Sequence, residues 1–355
     1  MLDEEGFAFV LKNLFGLSRD AIIEELKEWG LPGYRGKQIA EWMYREGVLS
    51  FADMTSLPKK LREELAGHYG IFRALCRDRL DSADGKTSKF LLKFADGAAV
   101  ETVLMRQPYG NSICVSTQAG CKMGCAFCAS TLHGVDRDLT PGEMLAQAIH
   151  VQELLKKASP GQKVDTMVLM GSGEPLMNYD AVVAFLRLCH EDSVMGMGYR
   201  NMTLSTSGIV PNIYRLMEEG IPVSLSISLH APNDALRSRL MPVNRQFPLA
   251  GLVAAGRAYG ERTKRRVTYE YILIDRVNDG EEQARELVAL LRGQLASVNL
   301  IPINPVPERN LNRPSKQRIA WFENYLKTHH MAVTVRREMG TDIQAACGQL
   351  RNKHI

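Results

Sequence analysis

A chain of 355 residues is too long for one minimal domain and short for three. At roughly 150 residues per domain, two domains fit it, as does one large α/β barrel with an appendage. Its 45% hydrophobic and 24% charged content excludes wholesale disorder. No apolar run approaches the ~18 residues of a membrane span, and the start Met1-Leu2-Asp3-Glu4-Glu5 is acidic where a signal peptide is basic. A cytoplasmic protein with no membrane partner is therefore expected.

The first 70 residues read as helices. Ser18 is placed to cap a segment carrying Ile22, Ile23 and Leu26 on one face. Ile39, Trp42 and Met43 recur at helical spacing, and Pro58 stands where a first-turn proline belongs, ahead of Leu61 and Leu65. Gly30 to Gln38 reads as a loop whose glycines permit a close backbone approach. Residues 1–70 hold 9 Lys+Arg against 12 Asp+Glu, and the remainder 35 against 28. Within the acidic portion, Arg35, Lys37, Arg45, Lys59, Lys60 and Arg62 form a basic run. Its plain reading is a solvated helix face; its functional reading is a small RNA-docking domain over 1–70.

Residues 71–106 read as a linker built on a β-hairpin, with Phe90–Phe94 and Val100–Leu104 joined by a turn at Asp96 and Gly97. Beyond residue 110, strand-like runs (112–117, 164–170, 201–206, 223–229, 267–274, 298–303) alternate with helix-like ones (141–157, 179–190, 211–219, 247–259, 280–292, 316–329). Thr140-Pro141-Gly142-Glu143 has the form of a capping box with proline at the first helical position. Six β/α alternations over 107–340 imply an α/β fold with a parallel sheet, as an open sheet or a partial barrel. A C-terminal segment, 341–355, follows.

The seven cysteines (Cys76, Cys114, Cys121, Cys125, Cys128, Cys189, Cys347) argue by their odd number against a disulfide framework and for metal binding or catalysis by some of them. Cys121, Cys125 and Cys128 form a CxxxCxxC triplet in the loop after the first barrel strand. A structural zinc site would need a fourth ligand, for which His133 is the local candidate. Three thiolates holding a 4Fe-4S cluster would instead leave one iron open to a substrate. In a barrel, reactive groups gather where strands end, and polar residues stand at each such place. Gly171-Ser172-Gly173-Glu174 follows the second strand, with backbone amides to grip an amino-acid carboxylate and Glu174 to receive an ammonium. Ser205 ends the third strand, Ser228, Leu229 and His230 the fourth, and Asn304 the sixth.

CxxxCxxC at the mouth of a partial barrel resembles the radical S-adenosylmethionine (SAM) enzymes, in which the open iron binds SAM and an electron from the cluster cleaves it to a 5′-deoxyadenosyl radical. Cys114 and the terminal Ala345-Ala346-Cys347-Gly348-Gln349-Leu350, taken alone, hold ordinary inert thiols. Together with the triplet, Gly173-Glu174-Pro175-Leu176 and Ser228-Leu229-His230, they make the chain similar to the RlmN family of RNA adenine-C2 methyltransferases. The nearest relative of that family is the C8-methylating enzyme Cfr. The resemblance implies a partial (β/α)6 radical SAM barrel that uses one 4Fe-4S cluster and two SAM molecules per turnover. It implies that Cys347 carries the methyl group, that Cys114 resolves an RNA–protein adduct by forming a transient disulfide, and that Glu101 accepts a proton. The implied substrates are an adenosine of 23S rRNA (the adenine 2503 equivalent) and adenosine 37 of some tRNAs. An external one-electron donor and a disulfide reductant are implied as partners. Pro175 favours C2 over C8 chemistry. A non-catalytic Fe–S or zinc RNA-binding protein is the alternative of another class, and it leaves Cys114 and Cys347 without a role.

Overall fold

The computed structural model describes residues 11–350. Two short strands, β1 (Lys12–Asn13) and β2 (Tyr69–Gly70), pair in parallel and close a unit of three helices, α1 (Arg19–Lys27), α2 (Gly33–Tyr44) and α3 (Lys59–His68). Ser18 caps α1, its Oγ accepting from the Ala21 amide at 3.0 Å. The segment read as a loop over 30–38 is helical from Gly33 onward. The close approach that its glycines permit is to α1: a Cβ on Gly36 would lie 2.9 Å from the Ile23 Cα. Pro58 stands one residue earlier than expected, at the cap of α3.

Strands β3 (Leu75–Asp81), β4 (Thr87–Lys93) and β5 (Ala99–Gln107) run antiparallel. They are not a free-standing hairpin. The last of them pairs with β6 (Gly110–Cys114), so all join one ten-stranded sheet. A small ribbon of β7 (Gln118–Gly120) and β8 (Val135–Asp138) brackets the cysteine triplet. Helix α4 (Pro141–Ala158) then opens on the expected capping box, with both reciprocal hydrogen bonds formed.

The parallel part continues through β9 (Val164–Leu169), α5 (Tyr179–His190), β10 (Met202–Thr206), α6 (Val210–Glu218), β11 (Ser224–Ser228), α7 (Asp234–Leu240) and α8 (Leu249–Thr263). It ends with β12 (Val267–Leu273), α9 (Glu281–Leu291), β13 (Ala296–Pro302), α10 (Lys316–Thr328) and β14 (Val333–Val335). The order β14-β13-β12-β11-β10-β9-β6-β5-β4-β3 gives six successive parallel strands from β6 to β13, as the sequence implied. Helix α7 and the short parallel strand β14 were not expected.

Side chains alternate across each strand. Met167, Leu169, Leu204, Leu225, Ile227, Tyr269, Tyr271, Val298 and Leu300 are all buried in the main apolar core, toward the helices. Their neighbours Ser112, Thr203, Ser226, Thr268, Glu270 and Asn299 line a cavity of ≈ 1020 Å³ inside the curve of the sheet. A closed barrel fills that space with branched apolar side chains; here hydroxyls and amides share the lining with apolar residues such as Val168 and Ile301, and the space stays open. Among the described residues, no helix is long and apolar enough to cross a membrane.

The helical unit docks on α4 through backbone contact. A Cβ on Gly142 would lie 2.5 Å from the Phe15 carbonyl oxygen and 3.2 Å from the Gly16 Cα. Gly142→Ala should therefore destabilise the protein by about 1–3 kcal/mol through overpacking, although alanine is intrinsically the better helix former by about 1 kcal/mol. Chemical denaturation of the two proteins checks the sign.

Candidate active site

The cysteine triplet lies over the C-terminal ends of the parallel strands. Cys121 and Cys125 are buried and Cys128 is partly so. With Gly173, Glu174, Ser205, Ser228, His230 and Cys347, the three line one cavity of ≈ 150 Å³. Burial pushes the thiol of Cys121 up to about 12 and raises those of Cys125 and Cys128 as well. The charge on each of Cys121 and Cys125 is also felt from Cys128. Buried thiolates crowded in this way need cationic charge among them to ionise, which is the property of a metal-cluster site. Among the described residues no group of three His, Cys, Asp or Glu side chains could hold a single metal ion. His133, the fourth ligand that a zinc site would need, is exposed and does not line the cavity. The donor set thus fits a cluster with irons at separate corners better than one zinc.

The glycine-rich turn has a different part from the one expected. Its amides are already used within the protein: Gly171 N donates to Val115 O at 3.1 Å, Ser172 N to Ser116 Oγ at 2.9 Å and Glu174 N to Gln118 Oε1 at 2.9 Å. The Gly173 amide points at the Cys121 sulfur. These amides do not form an anion cradle; the turn is the packed wall of the cavity. Gly173 has φ +107, and a Cβ there would lie 2.8 Å from the Gln118 nitrogen, so no other residue fits without displacing that strand. Glu174 is buried and accepts from Thr206 Oγ1 at 2.7 Å, Ser207 N at 2.6 Å and Leu176 N at 3.0 Å. The Ser207 side chain adds a fourth donor to this carboxylate. Burial nevertheless raises its pKa.

His230 adopts a left-handed backbone, φ 59. Its Nδ1 accepts from the Ile272 amide at 3.0 Å, which leaves Nε2 as the protonated nitrogen. Burial pushes its pKa down to about 3, so the ring is neutral. Leu229, grouped with the cavity residues from the sequence, is fully buried in the core and lines neither cavity. Its main chain carries the contact, with the carbonyl accepting from Arg237. Asn304 lines the larger cavity rather than the smaller one. Its Nδ2 donates to the Cys347 carbonyl at 3.0 Å, and its Oδ1 is buried without a partner. A ligand donor would satisfy that orphaned oxygen.

Cys114 ends β6 and packs with Val103, Ala345 and Leu350. Burial first, then the charge of Cys347, pushes its thiol up to about 12. Cys114 and Cys347 both line the large cavity, and Cys347 also lines the cavity of the triplet. All seven cysteines are free thiols, including this pair. Glu101, on β5, lies apart from both cavities in a side pocket of ≈ 250 Å³, where its carboxylate pairs with Lys89 at 2.8 Å.

Two residues escaped the sequence reading. Arg336 lines both cavities, and the thiolate of Cys347 holds its guanidinium above the ordinary value, aided by Glu270 and Cys114. Arg237 is fully buried and donates to Leu229 O, Ser207 O, Ser228 O and Asn244 Oδ1. Neither belongs to a motif, and nothing in the local sequence distinguishes them from surface arginines.

Residues 115–288 match the family model described as the radical SAM superfamily, and residues 12–71 match that of the ribosomal RNA large subunit methyltransferase N-terminal domain. Fold, triplet and match define a radical SAM enzyme. A crystal structure of a radical SAM methyltransferase from Sphaerobacter thermophilus superposes with a TM-score of 0.91 at 45% identity, covering 96% of this chain and 99% of that one. The probable dual-specificity RNA methyltransferase RlmN of Symbiobacterium thermophilum is 52% identical over 95% of this chain and 91% of its own. The corresponding Geobacillus kaustophilus protein is 50% identical over 93% and 91%. The chain belongs to the RlmN family of radical SAM RNA methyltransferases.

If the triplet alone ligates the cluster, single alanine substitutions at Cys121, Cys125 or Cys128 should abolish cluster loading, whereas Cys114→Ala and Cys347→Ala should retain about four irons and four sulfides per chain. Iron and sulfide analysis after anaerobic reconstitution decides this. Replacing Arg237 with methionine should cost about 3 kcal/mol or more in unfolding free energy, because several buried acceptors lose their donor at once.

Proposed function

We propose that this chain methylates C2 of an adenosine in 23S rRNA, at the adenine 2503 equivalent, and of adenosine 37 in some tRNAs. The relatives named dual-specificity RNA methyltransferases support two RNA substrates. The observation that carries the chemistry is that Cys347 borders both the triplet's cavity and the larger one that it shares with Cys114. Cys121, Cys125 and Cys128 would hold the cluster; when bound, it supplies the electron that cleaves SAM to an adenosyl radical. Glu174, Ser205, Ser228, His230 and Asn304 offer the polar contacts for SAM, with Gly173 shaping the wall.

Adenine C2 is an electron-poor sp² carbon, unsuited to direct attack on a sulfonium methyl group. Cys347 therefore takes the methyl from a first SAM through its thiolate, releasing S-adenosylhomocysteine. A second SAM provides the radical that removes one hydrogen from the S-methyl group. The resulting methylene radical adds to C2 and leaves an RNA–protein thioether. The ring radical then gives up one electron, which the oxidised cluster would take back, and its C2 proton, which passes to Glu101, so that the aromatic ring is restored. The Cys114 thiolate then attacks the Cys347 sulfur. A disulfide forms, the sulfur–methylene bond breaks toward the base, and protonation of that carbon completes the methyl group. An external dithiol must reduce the disulfide before the next turnover. Both targets lie in non-helical RNA, where a base can leave its stack and enter a cavity. The basic residues Arg35, Lys37 and Arg45 of the helical domain and Arg266 at the mouth of the large cavity supply phosphate contacts.

Cys347→Ala should form neither methylated enzyme nor RNA adduct. Cys114→Ala should still methylate Cys347 and add to adenine, and so accumulate protein covalently joined to RNA. Gel mobility before and after ribonuclease treatment reads this out, and normal turnover by Cys114→Ala would remove its resolving role. Mass analysis of adenosines from treated rRNA and tRNA separates C2 from C8 methylation and one substrate from two.

A further inference from the structure

Glu101 is held in its side pocket by a strand lysine that also reaches the C-terminal segment. Lys89, on β4, places its ammonium 2.8 Å from Glu101 Oε1, and the two side chains are 9% and 10% exposed. The same Nζ donates to the main-chain carbonyl of Gln344 at 3.2 Å. Gln344 lies three residues before Cys347. It is also one of few non-glycine residues in the left-handed region, with φ 53, a conformation that costs of order 1 kcal/mol and persists only when its surroundings hold it. A second tie lies one turn away, where the Ala83 amide donates to Asp342 Oδ2 at 2.9 Å. The register aligns Lys89 with Val103 and Val103 with Cys114, so the lysine, the base and the resolving thiol share the inner face of three neighbouring strands.

Lys89 is the cation that the described residues place against Glu101. The side pocket is lined by Asp78 from β3, Lys89 from β4, Glu101 from β5, and Asp342 with Ile343 and Gln344 from the C-terminal segment. Among the described residues that line it are three carboxylates and one cation, Lys89. Beside β5, strand β6 contributes Cys114. A cation at 2.8 Å favours the charged, proton-accepting form of a carboxylate. We propose that Lys89 is a positioning residue that keeps Glu101 able to take the adenine proton and fastens it to the main chain carrying Cys347, so that base and methyl carrier act as one unit. This rests on the proton-acceptor role proposed for Glu101.

The test uses the full-length, cluster-loaded enzyme with RNA substrate, in four forms: unaltered, Lys89→Met, Lys89→Arg and Glu101→Gln. Lys89→Met should methylate Cys347 normally, release methylated RNA at least tenfold more slowly, and accumulate the covalent RNA adduct as Glu101→Gln does. Raising the pH should speed adduct release in Lys89→Met, where the carboxyl can still lose its proton, but not in Glu101→Gln. Lys89→Arg, which keeps the charge, should recover release. Amide hydrogen exchange over 340–350 should quicken in Lys89→Met and not in Glu101→Gln. If Lys89→Met releases product at the unaltered rate while Glu101→Gln stalls, the proposal fails and the base assignment stands. Normal release by Glu101→Gln would instead remove the base assignment, and this proposal with it. A Lys89→Met protein that retains its cluster yet stalls before Cys347 is methylated also overturns the proposal, since the lysine would then act on the segment alone.

Discussion

A buried guanidinium whose hydrogen-bond acceptors are all neutral oxygens holds the active end of this molecule together. Arg237 reaches the carbonyls of Ser207, Ser228 and Leu229 and the side-chain oxygen of Asn244. It thereby ties the ends of β10 and β11 to the loop that follows α7. Its own helix receives the cysteine loop, because Leu240 O accepts from Ala126 N at 2.9 Å, and Leu236, Leu240 and Met241 pack on Cys125 and Phe127. Burial lowers its pKa to about 10, still far above neutrality, so it remains charged. Such a group is costly to bury and fixes its acceptors in return. It therefore fixes the strand ends and, through its own helix, the loop that carries the triplet.

From that fixed rim the rest follows by alternation. Residues pointing out of the sheet are apolar and make the core with the helices; those pointing in mix hydroxyls, amides and charged groups with apolar side chains, and they leave space. The antiparallel strands β3–β5 extend the same inner face, which is how Glu101 and Cys114, thirteen residues apart in sequence, come to lie on one surface beneath the segment bearing Cys347. Two cavities meet at that cysteine. A group that must take a methyl at one place and deliver it at another needs such a position.

Much of this was legible in the sequence, and the failures have physical causes. The six parallel strands and their helices announced themselves through buried apolar runs, and the triplet through spacing. Strand β3 did not, because every residue from Leu75 to Asp81 is exposed, so it has no buried face to alternate. Helix α7 is only about two turns long and carries two arginines, one of which is buried. Glycines 33 and 36 suggested a loop, but they serve helix–helix contact inside α2. The turn at 171–174 was correctly placed beside the cysteines, yet its amides are spent on neighbouring strands, a fact of tertiary pairing that no local pattern encodes. Lys89 looks like any strand lysine until the C-terminal segment is laid over it.

The proposed route takes the methyl carbon to RNA by way of Cys347, with loss of a hydrogen on the way. SAM carrying a trideuterated methyl group tests it most directly. The expected product is RNA adenosine bearing two deuterium atoms in its new methyl group, with the third recovered in 5′-deoxyadenosine and replaced by a proton from solvent or protein. A methyl group that arrives with all three deuterium atoms would mean direct transfer, and would contradict it.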